Sequence, residues 1–276
     1  MGRKLGLVAG SGAFPFEIAE AARESGLEVA IVAIQDQADP AIERLASRDF
    51  GSLQAGELGR LVELLKGWQV DEVILAGAIA KREALRDPSA LRLDARALAL
   101  LARLKDRGDD ALLRAVAGEL ESEGLVVVDS TRYLENRLTR AGRLAGPPLE
   151  PGAEANLGLG LRVAKSLGRH DVGQSVVVKD GTVLAVEAAE GTDAAIRRGT
   201  QLGGKGSVVV KASKPRQDLR FDVPAIGTQT IELAHEFGVI AIGLEADATL
   251  VLDQTRALRE AERHGISVVG LRPEQG

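Results

Sequence analysis

The stretch KLGLVAGSGAFPFEIAEAARESGLEVAIVAI, Lys4–Ile34, decides the fold. Lys4–Ala9 reads as a buried strand and Gly10-Ser11-Gly12 as a tight turn, and helical spacing of apolar residues predicts a helix over Phe14–Glu24. Gly26 closes that helix, and Glu28–Ile34 gives a second strand. Strand, glycine turn, helix, strand is the sequence form of a nucleotide-binding half. Asp36 follows the second strand, near where a ribose-binding carboxylate would lie. Pro15, however, stands where the last glycine of the dinucleotide fingerprint is needed for close helix–strand packing. The pattern therefore supports a Rossmann-like topology more than it supports NAD.

Working outward, a helix is expected over Glu57–Lys66, then a strand, Glu72–Leu75, running into Ala76-Gly77-Ala78. Small residues there let a ligand approach the backbone, although a tight strand-to-helix turn explains any single glycine as well. Leu91–Lys105 has helical spacing, and Asp106–Leu113 (DRGDDALL) breaks it and restarts a helix at Asp109 or Asp110. Capping accounts for one of these acids, and the other is less forced and could face a site. Leu125–Val128 reads as another buried strand. The pattern then lapses, and Arg140–Gly152 (RAGRLAGPPLEPG) carries three prolines and three glycines, marking a linker. The expected organisation is a Rossmann-like N-terminal domain over 1–132, a Pro/Gly-containing linker over 133–151, and a distinct α/β C-terminal catalytic domain over 152–276.

In the second half, Ala153–Leu167 reads as a helix, and its interior Gly158 and Gly160 imply a close approach by another element. Ser175–Lys179 and Thr182–Val186 form a hairpin around Asp180-Gly181. Glu187, Glu190, Gly191, Thr192 and Asp193 follow, leading into a helix with Arg197 and Arg198, for which Thr192 is the expected N-cap. Later elements are a helix to Phe237, strands near Val239–Ile242 and Thr249–Leu252, a helix to His264, and a last strand, Ile266–Leu271.

Chemistry concentrates in Val208–Thr230 (VVVKASKPRQDLRFDVPAIGTQT), where a β-branched run gives way to charges and then to a helix start. Lys211, Lys214, Arg216 and Arg220 are interleaved there with Asp218 and Asp222, and Pro215 and Pro224 stiffen the path. Cations and unpaired N–H groups gathered near one helix start suit a phosphate. Carboxylates in that setting stay ionised and can hold a metal ion or orient water. A solvated loop whose opposite charges simply pair is the plainer alternative.

The 276 residues suggest two domains, and 45% hydrophobic with 27% charged content is ordinary for a globular protein. With no cysteine, disulfides, zinc–thiolate sites and thiol nucleophiles are excluded together. A net charge of −5 without a basic block argues against a nucleic-acid partner. The three histidines are not spaced as a metal triad. No apolar run approaches the ~20 residues of a membrane span, and no signal-peptide pattern opens the chain, so a cytoplasmic location is expected.

Five stretches carry a family resemblance: AGSGAFP (Ala9–Pro15), RGDDALL (Arg107–Leu113), VGQSVVV (Val172–Val178), AVEAAEGTDAAIRR (Ala185–Arg198) and QDLRFDVPAIG (Gln217–Gly227). In this order they resemble the LpxI family of UDP-2,3-diacylglucosamine pyrophosphatases over nearly the whole chain, departing at Ser11, where a third consecutive glycine is usual. The resemblance implies hydrolysis of the substrate's pyrophosphate to UMP and lipid X in lipid A biosynthesis, with attack on the phosphorus nearer the sugar. It also implies dependence on Mg²⁺ or Mn²⁺ and a lipid-linked UDP-sugar held between two domains. The aspartate of the R-x-D-x-P-x-I-G motif falls on Asp222, with Arg220, Pro224 and Gly227 intact.

On this basis Asp222, Arg220, Lys211 and Lys214 are the expected catalytic residues. Substrate-binding residues are expected at Gly10, Ser11, Gly12, Gly77, Asp109, Asp110, Gln174, Gly191, Thr192, Gln217, Gly227 and Thr228. Asp222, Asp193, Glu187 and Glu190 are the candidate metal ligands. Transient contact with the cytoplasmic face of the inner membrane and a homodimer both remain open. The competing readings are an NAD(P)-dependent oxidoreductase and a non-catalytic nucleotide-sugar binding protein.

Overall fold

The computed structural model describes residues 2–77, 92–104, 109–215, 218, 220 and 223–273, with 109–111 described by their backbone alone. The chain divides into two compact units. Unit 1 is Met1–Glu135 with Asp218–Asp222, and unit 2 is Asn136–Gln217 with Val223–Gly276.

In unit 1 the chain forms β1 (Lys4–Ala9), α1 (Phe14–Glu24), β2 (Glu28–Ile34), a 3-10 turn at Pro40–Leu45, β3 (Phe50–Leu53), α2 (Leu58–Gly67), β4 (Glu72–Ala76), α3 (Ala95–Arg103) and α4 (Asp109–Ser122). The sheet runs β3-β2-β1-β4 with every pair parallel, the strand order of a doubly wound nucleotide-binding half. Parallel strands covered on both faces read as continuous apolar runs, which is why β1, β2 and β4 are legible in the sequence. Pro15 in the first turn of α1 is tolerated because the N–H it lacks would have no helical partner there. Leu125–Val128, expected as a full strand, lies beside β4 through a single Val73–Val127 bridge. Its hydrogen bonds run from Val73 N to Val126 O (2.7 Å) and from Val128 N to Val73 O (2.9 Å).

Unit 2 contains β5 (Gly142–Ala145), α5 (Pro151–Arg169), β6 (Ser175–Lys179), β7 (Thr182–Val186), α6 (Thr192–Gly203), β8 (Val208–Lys211), β9 (Ala225–Ile226), α7 (Thr228–Glu236), β10 (Ala241–Glu245), β11 (Leu250–Val251), α8 (Gln254–Arg263) and β12 (Ser267–Leu271). Its six-stranded sheet has the order β5-β12-β10-β8-β6-β7, with β12, β10 and β8 mutually parallel. The β6–β7 hairpin and β5 add antiparallel edges. Strand alternation sorts the valines between two layers. Val176, Val178, Val208 and Val210 meet Leu157 and Leu161 of α5, whereas Val177 and Val209 meet Ile196, Ile231 and Ala257 of α6, α7 and α8. Gly160 admits the close approach read from the sequence, since a β-carbon there would lie 2.6 Å from Val210 Cγ2. Gly158 does not face a crowded surface, its nearest such contact being Arg162 Nη1 at 3.6 Å.

The stretch 133–151, expected as a linker, is folded chain. Glu135–Arg137 is a 3-10 turn, and β5 pairs with β12 along the sheet edge. Pro147 and Pro148 follow because they cannot donate to a ladder, so the strand stops there.

Candidate active site

At the carboxyl end of β8, a compact polar cluster forms within unit 2. Lys211 Nζ donates to Thr192 Oγ1 (3.0 Å), and Thr192 Oγ1 donates to Glu187 Oε1 (3.1 Å). Ser175 Oγ lies 3.2 Å from the same threonine oxygen. Sheet register explains the meeting. Ser175 opens β6 directly opposite Lys211, the last residue of the antiparallel β8, while Glu187 follows β7 and returns its N–H to Ser175 O at 2.8 Å. Thr192 is the first residue of α6, not its N-cap. Gly191 holds the cap position at φ +85°, a conformation that favours glycine, so the threonine hydroxyl is turned to the cluster instead.

Glu187 is 9% exposed, and its Oε2 is buried without a hydrogen-bond partner, as is Gln174 Oε1 one residue before Ser175. A buried, unmatched carboxylate oxygen costs free energy and is a hard donor for a cation or a ligand hydroxyl. The other candidate ligands are arranged differently. Glu190 is taken by Arg198 (Nη2 to Oε1, 2.5 Å) and accepts from Ala188 N at 3.1 Å. Its own backbone N–H, followed by Arg198, holds its pKa below the usual carboxylate range. Asp193 stands in the first turn of α6, where helix-terminal charge favours a carboxylate. Among the described residues no group of three or more His, Cys, Asp or Glu is gathered for a metal. Mg²⁺ accepts one or two carboxylates completed by phosphate oxygens and water, so Glu187 is the described residue that fits it.

Lys214 pairs with Asp171 Oδ1 at 2.6 Å. Gly227 is the N-cap of α7 and Thr228 its first residue. Asp222 and Gln217 lie outside the described residues. Asp109 and Asp110 open α4, and their side chains are likewise outside the description.

Arg220 belongs to unit 1. Asp218 grips it in fork geometry, Nε to Oδ1 at 2.9 Å and Nη2 to Oδ2 at 2.7 Å, and Glu121 Oε1 of α4 accepts from Nη1 at 3.2 Å. That grip, led by the Asp218 hydrogen bonds, raises the pKa of the guanidinium and lowers that of Asp218. The charges of Asp129 and Arg114 add to the field on this pair. Arg220 thus meets the later part of α4 in unit 1, 99 positions away in sequence, a juxtaposition no spacing rule reveals.

Elsewhere in unit 1 the glycine turn and Gly77 come together. Gly10 N donates to Ala76 O at 2.7 Å. A β-carbon on Gly77, at φ +86°, would lie 2.5 Å from Ser11 O. The carboxyl ends of β1 and β4 are where a strand order of this type opens a ligand crevice.

Ser175, Ser213, Lys165 and Glu245 were not singled out by sequence. The detectable signal for Glu245 is a lone acid closing the apolar run Ala241–Leu244.

A family model described as the LpxI N-terminal domain matches residues 4–137, and the LpxI C-terminal domain model matches 140–269. The chain is 38% identical, over 99% of its own length and 99% of the other, to a curated protein of Caulobacter vibrioides named UDP-2,3-diacylglucosamine pyrophosphatase LpxI. Among solved structures, a Brucella ovis UDP-glucose 4-epimerase is 19% identical, covering 44% of this chain and 33% of that one, with a TM-score of 0.30. A Mycobacterium tuberculosis glycinamide-RNase-transformylase T is 18% identical over 68% and 44%, with a TM-score of 0.26. These two scores carry no weight for fold or chemistry.

Proposed function

Because this chain belongs to the LpxI family, we propose that it hydrolyses UDP-2,3-diacylglucosamine to UMP and 2,3-diacylglucosamine 1-phosphate (lipid X) in lipid A biosynthesis. Likeness to a pyrophosphatase along both units, not one alone, is the observation that carries the proposal. Water attacks the phosphorus nearer the sugar, that phosphorus parts from the bridging oxygen, and the bridging oxygen leaves on UMP. The reaction needs cations on the non-bridging oxygens and an aligned water.

Lys211 and the start of α6 at Thr192 are assigned to the phosphate group, a reading supported by an ammonium hydrogen-bonded at a helix N-terminus. Asp222 is assigned to orient the water or to hold the cation, and Arg220 to offset charge. Bound Mg²⁺ or Mn²⁺, with Glu187 as a ligand, would supply further charge neutralisation on the diphosphate. Among the described residues no helix is long and apolar enough to cross a membrane. The proposed site of action is the cytoplasm, with peripheral contact at the inner membrane where the lipid-linked substrate resides.

Chromatographic separation of UMP and lipid X from UDP-2,3-diacylglucosamine, with and without EDTA, tests the proposal. Products are expected with metal and not with EDTA, and Asp222→Ala is expected to abolish turnover while still binding substrate. Intact substrate despite measurable binding would instead indicate a nucleotide-sugar binding protein. Thermal protection by a nicotinamide cofactor but not by UDP-sugars would indicate an oxidoreductase.

A further inference from the structure

Glu245, the last residue of β10, is 6% exposed, and both of its carboxylate oxygens are engaged. Lys165 of α5 donates to Oε1 at 2.7 Å and to Oε2 at 2.9 Å. Ser213 donates to Oε2 through its backbone N–H (2.7 Å) and its hydroxyl (2.8 Å). Lys165 also reaches Ser213 O at 2.9 Å. This charged set lies one strand from the site, because Leu244 pairs with Lys211 in the parallel β10–β8 register.

A buried ion pair is a poor way to gain stability, since apolar side chains of similar volume serve as well or better. What an apolar pair cannot do is accept the Ser213 N–H. β8 ends at Lys211, and Ala212 N makes a last bond to Gln174 O at 2.9 Å. Ser213 then takes the Glu245 carboxylate in place of a ladder partner. Lys211 and Lys214 flank this point, so one carboxylate fixes the backbone from which both lysines project.

We propose that Glu245, locked by Lys165, is a positioning residue that acts through Ser213 to set Lys211 for the phosphoryl chemistry. The inference rests on the proposed hydrolysis and on the role given there to Lys211.

The test compares full-length wild type, Lys211→Met, Lys165→Met/Glu245→Leu and Lys165→Met/Glu245→Gln in the UDP-2,3-diacylglucosamine assay, alongside Tm and amide exchange of the 211–215 segment. Both double variants remove the two charges together, and only the Gln variant keeps an acceptor for Ser213. The Leu variant should fold, exchange faster at Ser213, and lose roughly tenfold to a hundredfold in kcat with KM changed less than about threefold. The Gln variant should recover most of kcat. Wild-type turnover in the Leu variant, or equal rates in the two double variants at equal Tm, overturns the inference while leaving hydrolysis standing. No turnover by wild type removes both. Normal turnover by Lys211→Met removes the role of Lys211 and the inference with it.

Discussion

Lys211 Nζ donates to Thr192 Oγ1 at 3.0 Å, tying the last residue of β8 to the first residue of α6. The threonine hydroxyl donates in turn to Glu187 Oε1, so a single side chain aligns an ammonium and a buried carboxylate. Thr192→Val keeps the shape and deletes both bonds together with the contact to Ser175 Oγ. A hydrogen bond to a charged group contributes about 1.5–3 kcal/mol, so kcat should fall roughly tenfold to a hundredfold. Thr192→Ser should retain most of the rate. Steady-state kinetics of the two variants decide it, and a Val variant as fast as wild type would show that the alignment has no catalytic consequence.

The junction of β1 and β4 allows a separate test of packing. Gly77 has φ +86°, and a β-carbon there would stand 2.8 Å from the carbonyl carbon of Gly10 and 2.5 Å from Ser11 O. Gly12 has a similar φ of +92° but nothing within 4 Å of the same position. Gly12→Ala should therefore cost only conformational strain, about 1 kcal/mol, and Gly77→Ala about 2–3 kcal/mol or more because backbone cannot yield. Urea unfolding of the two variants gives the difference directly; equal losses would mean the contact at Ser11 relaxes freely.

Local rules explain why much of this fold was readable. Phe14–Glu24 and Glu28–Ile34 match their observed bounds because a glycine turn, an N-terminal proline and a buried apolar run all agree. Asp180-Gly181 marks its hairpin because both residues adopt positive φ, 49° and 71°, as the favoured two-residue turn requires. The edge strands Gly142–Ala145 and Phe50–Leu53 carry no such signature, for the opposite reason. Each is short, glycine-bearing and only partly buried, so its pairing comes from a distant partner rather than from its own pattern. The site divides in the same way. Lys211 and Thr192 stand out by charge and by helix start, whereas Lys165 and Glu245 are 80 positions apart and meet only because α5 packs on the sheet that β10 belongs to.

Tyr133 gives a titration that can be followed without interference, since the chain contains a single tyrosine. Its phenol donates to Glu72, a buried carboxylate that Arg3 and Arg132 also approach. Burial, then the Glu72 bond, pushes its pKa up to about 12. The folded value lies above the unfolded one of about 10, so this stabilisation is fully present below pH ~10 and is lost as pH rises through about 12. Absorbance of phenolate should show a midpoint near 12 in native protein and about 10 in urea. Glu72→Gln should lower the native midpoint; an unchanged midpoint would leave burial as the whole cause.

Asp218 and Arg220 make the sharpest claim about the loop that precedes Asp222. Asp218 holds the guanidinium through Nε and Nη2 in a planar fork, a geometry lysine cannot reproduce. If Arg220 offsets phosphate charge and Asp218 serves to aim it, then Asp218→Asn and Arg220→Lys damage one and the same arrangement. Each should lower kcat/KM by roughly tenfold, and the double variant should be little worse than the poorer single, the non-additivity expected of residues in direct contact. Glu121→Gln touches Arg220 only through Nη1 at 3.2 Å and should cost less than Asp218→Asn. Should the two losses multiply in the double variant, Asp218 has a task of its own and does not act through the arginine.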